Sequence, residues 1–304
     1  MKILALSIIR SLLTILGVVT LTFMLARFSG DPLVLLMSQA SSAGDYDTAR
    51  ATLGLDQPLW AQYGIYLSNI LRGDFGISIN YSRPVIDVVA ERIPATLELS
   101  IPSLLLSIAI GFPIGVLCAY TRGSWLDLIA MRLSLALQSL PQFFVGIVLI
   151  LVFAVQLRWL PSFGRDALPH LLLPLLTLSI YPLAILIRIT RTAVLDEISA
   201  PHIRTAHGKG LHSERVILMH TLPNALIPVI TVVGLQVATI LSGAAIVETV
   251  FAWPGIGSLA LEAVGGRDYP IIQLIVLLSA AAFAVTNILV DLLYVLIDPR
   301  IRLN

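Results

Sequence analysis

The chain has 304 residues, of which 57% are apolar and 12% charged, with a formal net charge of +1. Ordinary soluble domains carry about 25% charged residues, and a core this size cannot hide so much apolar surface, which excludes a soluble globular protein and leaves an all-α membrane protein. Cys118 is the single cysteine, which excludes a disulfide framework and a thiolate metal site, and in an apolar span a thiol is a small hydrophobe.

Six apolar segments are predicted as transmembrane helices, because about 20 residues cross the hydrocarbon core. They are Leu4–Ala26, Leu97–Tyr120, Ala130–Val155, Leu171–Ile187, Ala225–Val247 and Ile271–Ile297. The first follows Lys2, and Ser38-Gln39-Ala40 lies downstream, as in a signal peptide. Arg10 interrupts the run, however, and the run is long for a signal sequence, so an uncleaved first helix over residues 1–27 is expected.

Residues 28–96 form a segment too long for a plain connector. Asp56, Gln57 and Pro58 start a helix there and Gly73 stops it; Trp60, Tyr63, Tyr66 and Leu71 alternate with Gln62, Asn69 and Arg72. This predicts an amphipathic helix on the membrane surface or against the bundle. Asp47–Leu53 is a second, shorter candidate. The segment reads either as a shelf for a delivering protein or as cover for the span ends.

Residues 97–304 hold the other five spans. The fourth carries Pro174 and Pro182, which are expected to bend it; neighbouring helices re-satisfy the freed carbonyls. Glu98, Glu248 and Asp291 sit toward span ends, where a charge is a functional suspect, and read as helix-packing or interface groups.

The polar stretch at residues 196–224 separates the fourth and fifth spans. Ser199 is the expected N-cap ahead of Ala200-Pro201, Gly208 and Gly210 stop the helix, and Ser213 caps a second helix that ends or bends near Pro223. The result is a compact knob outside the membrane. Residues 248–270 form the other structured loop. Trp253-Pro254-Gly255-Ile256-Gly257 reads as a rigid turn with an interfacial aromatic, and Ser258–Val264 as a short helix before Gly265-Gly266. Such a loop gates the mouth of a path, docks a partner, or simply anchors the spans.

Lys2, Arg10, Arg122, Arg132, Arg188, Arg191, Arg204, Lys209, Arg215, Arg300 and Arg302 all fall on one side of a six-crossing chain. The bias of basic residues toward the cytoplasm therefore places both termini and the knob inside.

Catalytic patterns are missing. The sequence has no H-E-x-x-H, no G-x-S-x-G and no Walker A loop, so the chain does not hydrolyse ATP by that route. Four of the five histidines, His202, His207, His212 and His220, crowd the knob, but Gly208 and Gly210 keep any two from sharing i, i+4 positions on one helix, so no metal site is expected. The basic residues there are few and mixed with acids, unlike a nucleic-acid surface. No acidic cluster lies near a span midpoint, which weighs against a proton-coupled carrier.

Arg204-Thr205-Ala206, then Lys209-Gly210-Leu211, then His220-Thr221-Leu222-Pro223 have the spacing of the "EAA" loop of bacterial ABC-importer permeases. The variant resembles the dipeptide/oligopeptide/nickel subfamily. Gly30-Asp31-Pro32, Leu53-Gly54-Leu55-Asp56-Gln57-Pro58, Gly73-Asp74-Phe75-Gly76, Pro94-Ala95-Thr96-Leu97-Glu98, Arg267-Asp268-Tyr269-Pro270 and the closing Asp298-Pro299-Arg300 are similar to that subfamily's first-subunit type. Arg204 stands where the older consensus has an acid.

The resemblance implies a bacterial inner-membrane permease that pairs with a second, homologous permease. It implies two cytoplasmic ATPase domains carrying ATP and Mg2+, a periplasmic or lipid-anchored binding protein, and no cofactor in this chain. Arg204, Thr205, Ala206, Lys209, Gly210, Leu211 and His220 are then the ATPase-coupling residues, and Trp253, Pro254, Gly255, Asp268 and Tyr269 the periplasmic gate or docking residues. Di- or oligopeptides are the implied cargo, with nickel or glutathione as alternatives. A six-span carrier or channel without ATPases is the rival class.

Overall fold

A computed structural model of the protein describes residues 2–28 and 56–297. The regular structure of the described residues is helical apart from an isolated bridge between Ile77 and Pro84. Asp47–Leu53 and the closing Asp298-Pro299-Arg300 lie outside the described residues.

The first helix, α1 (Lys2–Phe28), packs along the last, α11 (Tyr269–Ile297). Helix α2 (Leu59–Leu71) is the expected amphipathic helix, with Pro58 ahead of it and Gly73 beyond. Its apolar face is not buried as a unit. Tyr63 and Tyr66 stack near Phe23 of α1, at 5.3 and 5.4 Å between ring centroids, whereas Trp60 and Leu71 are exposed. Gln62 is buried instead, its Nε2 donating to Gln57 O at 2.7 Å.

Helix α3 (Val85–Tyr120) begins well before the expected Leu97 and accommodates Pro94, Pro102 and Pro113. It forms the central pair of the bundle with α6 (Leu168–Ile198). Small residues every fourth position let the backbones meet: Ser103, Ser107, Gly111, Gly115 and Ala119 are all buried. A Cβ on Gly111 would lie 3.0 Å from Leu186 Cβ, and one on Gly115 2.6 Å from Thr190 Cβ. Ser107 Oγ bridges the helices to Ser179 O at 2.9 Å. Apolar lipid supplies no hydrophobic drive between helices, so close packing and hydroxyl bonds hold this pair.

The third span departs from expectation. Instead of one helix over Ala130–Val155, α4 (Trp125–Ser139) and α5 (Gln142–Leu149, prolonged by a π-helical stretch to Gln156) meet at a bend of 103°. Pro141 offers no N–H and its ring clashes with the preceding turn, while Leu140 is extended (φ −85°, ψ 130°). Among the described residues, five helices are long and apolar enough to cross a bilayer, or six if the bent pair is one span.

The fourth span, α6, is one continuous helix running eleven residues beyond the expected Ile187, so Arg188 and Arg191 are helical. After it come α7 (Pro201–Gly208) and α8 (Ser213–Val216). A π-helical turn, Ile217–Thr221, then leads straight into α9 (Leu222–Val250). The second knob helix therefore does not end at Pro223. The helical path runs without a gap from α8 through this turn into α9, with Pro223 just after the π-helical turn, so α8 and α9 form one limb. Helix α10 (Ile256–Gly265) lies against α9, α11 and α3.

Candidate functional site

The knob has two distinct faces. Ile203 and Ala206 of α7 are buried against Val216 of α8, with Ala200 and Leu211 packed around them. Arg204, Thr205 and Lys209 point outward. Gly210 has φ +78°, a left-handed conformation that closes the helix and turns the chain toward α8. Nothing lies within 4 Å of the place its Cβ would occupy, so backbone conformation rather than space calls for glycine there. Among the expected residues, Ala206 and Leu211 thus supply the inner face and Arg204, Thr205 and Lys209 the outer one. His220 is exposed on the opposite limb, in the π-helical turn.

Ser199 does not act as the expected N-cap: its Oγ donates backward to Leu195 O at 3.1 Å. The two limbs are joined by a clamp that the sequence pattern did not reveal. Glu197 Oε1 accepts from Asn224 Nδ2 at 2.7 Å and stands 2.9 Å from His202 Nε2. Above it, Arg191 grips Asp127 with Nε to Oδ1 at 2.5 Å and Nη2 to Oδ2 at 2.8 Å, and Gly123 N adds a third donor. This pair ties the α3–α4 turn to the helix that carries the knob. Only the folded chain brings together positions 64 residues apart.

At the opposite end of the bundle, the 248–270 loop is a buried turn. Trp253 is only 1% exposed, and its Nε1 donates to Ala95 O at 2.7 Å. The expectation of an interfacial aromatic is therefore overturned: the indole is wedged between α3 and α9, beneath the Arg165 guanidinium at 5.8 Å. Arg165 in turn pairs with Glu98 at 2.5 Å. The Glu248 carboxylate is fully buried beneath the turn, accepting from Thr96 Oγ1 at 2.7 Å and Ser258 N at 2.8 Å. Gly255 and Gly257 make this possible. A Cβ on the first would strike the carboxylate at 2.1 Å, and one on the second would lie 2.4 Å from Ala245 Cα.

Asp268 is buried as well, its Oδ2 accepting from Ser78 Oγ at 2.5 Å and Asn80 N at 3.0 Å. Tyr81 reaches Glu262 at 3.1 Å, and burial together with that carboxylate pushes its phenol above the ordinary value, so it stays a donor near neutral pH. Trp253, Gly255 and Asp268 are thus internal fastenings, while Pro254 and Tyr269 are half-buried. The surface beside them is formed by exposed Ala252, Leu261, Glu262, Val264 and Arg267. Among the described residues, no three His, Cys, Asp or Glu side chains gather as a metal site would require.

Two family descriptions match in succession. "Binding-prot-dependent transport system membrane comp, N-term" covers residues 1–100, and "Binding-protein-dependent transport system inner membrane component" covers residues 111–303. The chain belongs to this permease family. It is 42% identical over 273 residues to the glutathione transport system permease protein GsiC of Escherichia coli strain K12, spanning 90% of this chain and 89% of that one. The protein of the same name from Shigella flexneri serotype 5b matches to the same extent.

The MetNI methionine ABC transporter, in an inward-facing conformation, shares the fold, with a TM-score of 0.59 at 18% identity over 70% of this chain and 97% of that one. An amino acid ABC transporter superposes with a TM-score of 0.52 at 16% identity, over 68% and 93% of the two chains. The chain is accordingly an inner-membrane permease subunit of an ABC importer, and nucleotide hydrolysis is not its own chemistry.

Proposed function

We propose that the chain is the first of two permease subunits in an importer for small peptides, with a tripeptide such as glutathione within its range. The path runs along the interface with the second permease. ATP and Mg2+ are held by two ATPase domains that seat the knob, and a binding protein delivers cargo at the α10 end. Both termini and the knob face the cytoplasm.

The observation that carries this reading is the construction of α7. Its polar face of Arg204, Thr205 and Lys209 is presented outward, while Ile203 and Ala206 lock it to a limb continuous with α9. A push on that face is passed to α6 and α9 as a unit, as a stroke from closing ATPases requires. The cargo assignment is supported by the glutathione permease relatives and by the peptide-permease motifs. Because the two sides are linked, whatever alters ATPase closure also alters binding-protein affinity.

The test is reconstitution in liposomes, first of this chain alone and then with its partners. ATP-driven, binding-protein-dependent glutathione uptake by the full assembly is expected. Uptake by the chain alone, driven by a proton gradient and indifferent to ATP, overturns the reading. Uptake of nickel without peptide leaves the machine standing and replaces the cargo.

A further inference from the structure

Helix α6 buries Pro182, Leu186, Ile187, Thr190 and Val194, and on the other side exposes Tyr181, Arg188 and Thr192. Arg188 lies within the candidate span formed by α6, directly after the apolar run that ends at Ile187. A guanidinium within a span turns to protein or to water rather than to acyl chains. Its partner here is neutral: Nη1 donates to Gln138 Oε1 at 2.7 Å. Arg191, one turn on, has Asp127, but among the described residues no carboxylate pairs Arg188.

Gln138 lies two residues before the interruption between α4 and α5. Ser139, Leu140 and Pro141 are exposed there, and the backbone leaves the helix. Interrupted backbone is not exposed to lipid, because its free carbonyls find no donors in hydrocarbon. An unpaired cation, an amide and a broken helix thus share one exposed wall. Broken helices within spans are where transporters bind cargo and ions.

We infer that this wall lines the translocation path and that Arg188, steadied by Gln138, receives a carboxylate of the passing cargo. This rests on the peptide-import reading above. A peptide carries a carboxylate at its C-terminus, and glutathione carries two. The guanidinium fork matches a carboxylate in two parallel hydrogen bonds, and Gln138 occupies one nitrogen while leaving the others to the ligand. A nickel cation would be repelled at the same point.

The experiment uses the complete assembly in proteoliposomes, with glutathione as the probe at saturating binding protein. Arg188→Gln should lower ATP-driven uptake by roughly tenfold or more, as expected for a lost charged hydrogen bond, with Arg188→Lys intermediate. Subunit co-purification and the ATPase stimulation by loaded binding protein should be unchanged. Thr192→Cys, on a Cys118→Ala background, should react with a charged, water-soluble methanethiosulfonate, and that reaction should block uptake.

Wild-type uptake in Arg188→Gln, or an inert cysteine at 192, overturns the inference. So does loss of the second permease from Arg188→Gln, which would make Arg188 an inter-subunit contact. Failure of the unmodified assembly to take up glutathione is a different result, because it removes the peptide reading on which the inference rests.

Discussion

Replacing Gly257 with alanine should loosen the α10 end of the bundle more than a single methyl group suggests. The new Cβ would stand 2.4 Å from Ala245 Cα and 2.6 Å from Ala245 N, where ordinary contact begins near 3.4 Å. Those atoms are backbone of α9 and cannot rotate away, so α10 must retreat by about 1 Å. Ser258 N, now 2.8 Å from Glu248 Oε2, then leaves hydrogen-bond range, and the buried carboxylate loses a donor. Overpacking costs about 1–3 kcal/mol and the withdrawn donor about 1–3 kcal/mol, so a destabilisation of roughly 2–6 kcal/mol is expected. At about 2–4 °C per kcal/mol, this lowers the midpoint of thermal unfolding by on the order of 10 °C, readable by fluorescence-detected gel filtration in detergent. Gly265→Ala is the control: it lies in the same helix, with nothing within 4 Å of its Cβ position. Equal melting of the two variants would refute the close-approach reasoning.

Four further outcomes follow from the same geometry. Gly210→Val should cost about 1 kcal/mol or more from the left-handed backbone alone, leaving the chain in the membrane but weakening ATPase co-purification; full transport in that variant would count against the knob as the docking element. Asp127→Ala should cost about 2–4 kcal/mol, because Asp127 is buried and Arg191 is partly exposed, and the swap Asp127→Arg with Arg191→Asp should restore part of it; no recovery in thermal unfolding would mean the pair does not act as a unit. Trp253→Phe should lose about 0.5–1.5 kcal/mol by removing the indole hydrogen bond to Ala95 O, and an unchanged midpoint would argue against that bond. Thr205→Cys on a Cys118→Ala background should resist an impermeant thiol reagent added outside intact cells and react in inverted vesicles; labelling from outside would reverse the topology.

Much of the candidate knob was legible along the chain because its signals are local. Gly210 marks a left-handed turn and Pro201 opens α7, whereas the division into an inner face of Ile203 and Ala206 and an outer face of Arg204 and Thr205 came from the packing. The extent of α6 was not legible. An arginine after an apolar run reads as the end of a span, whereas backbone hydrogen bonding continues the helix through Arg188 and Arg191. The break at Pro141 was misread for the opposite reason. Hydropathy is continuous across Leu140-Pro141, and prolines within α3, α6 and α9 leave those helices uninterrupted. Whether a proline breaks a helix depends on what satisfies the freed carbonyls, which no local pattern encodes.

Composition and apolar periodicity determined by themselves that the chain is a helical membrane protein, because hydrocarbon tolerates only long apolar stretches with internally satisfied backbones. Local signals likewise pointed to short helices ahead of Gly208 and over Ser258–Val264, where the structure has α7 and α10. Tertiary structure decided what those parts do for one another. Trp253 and Asp268 became buried fastenings because Ala95, Ser78 and Asn80 arrive from distant segments to meet them. Arg191 found Asp127 while Arg188 did not find a carboxylate, although both are arginines on one helix three residues apart. Residues three apart share a face of α6, and both side chains meet α4; what differs is the residue of α4 that each meets, Asp127 in its first turn or Gln138 in its last, and only the packed bundle determines that.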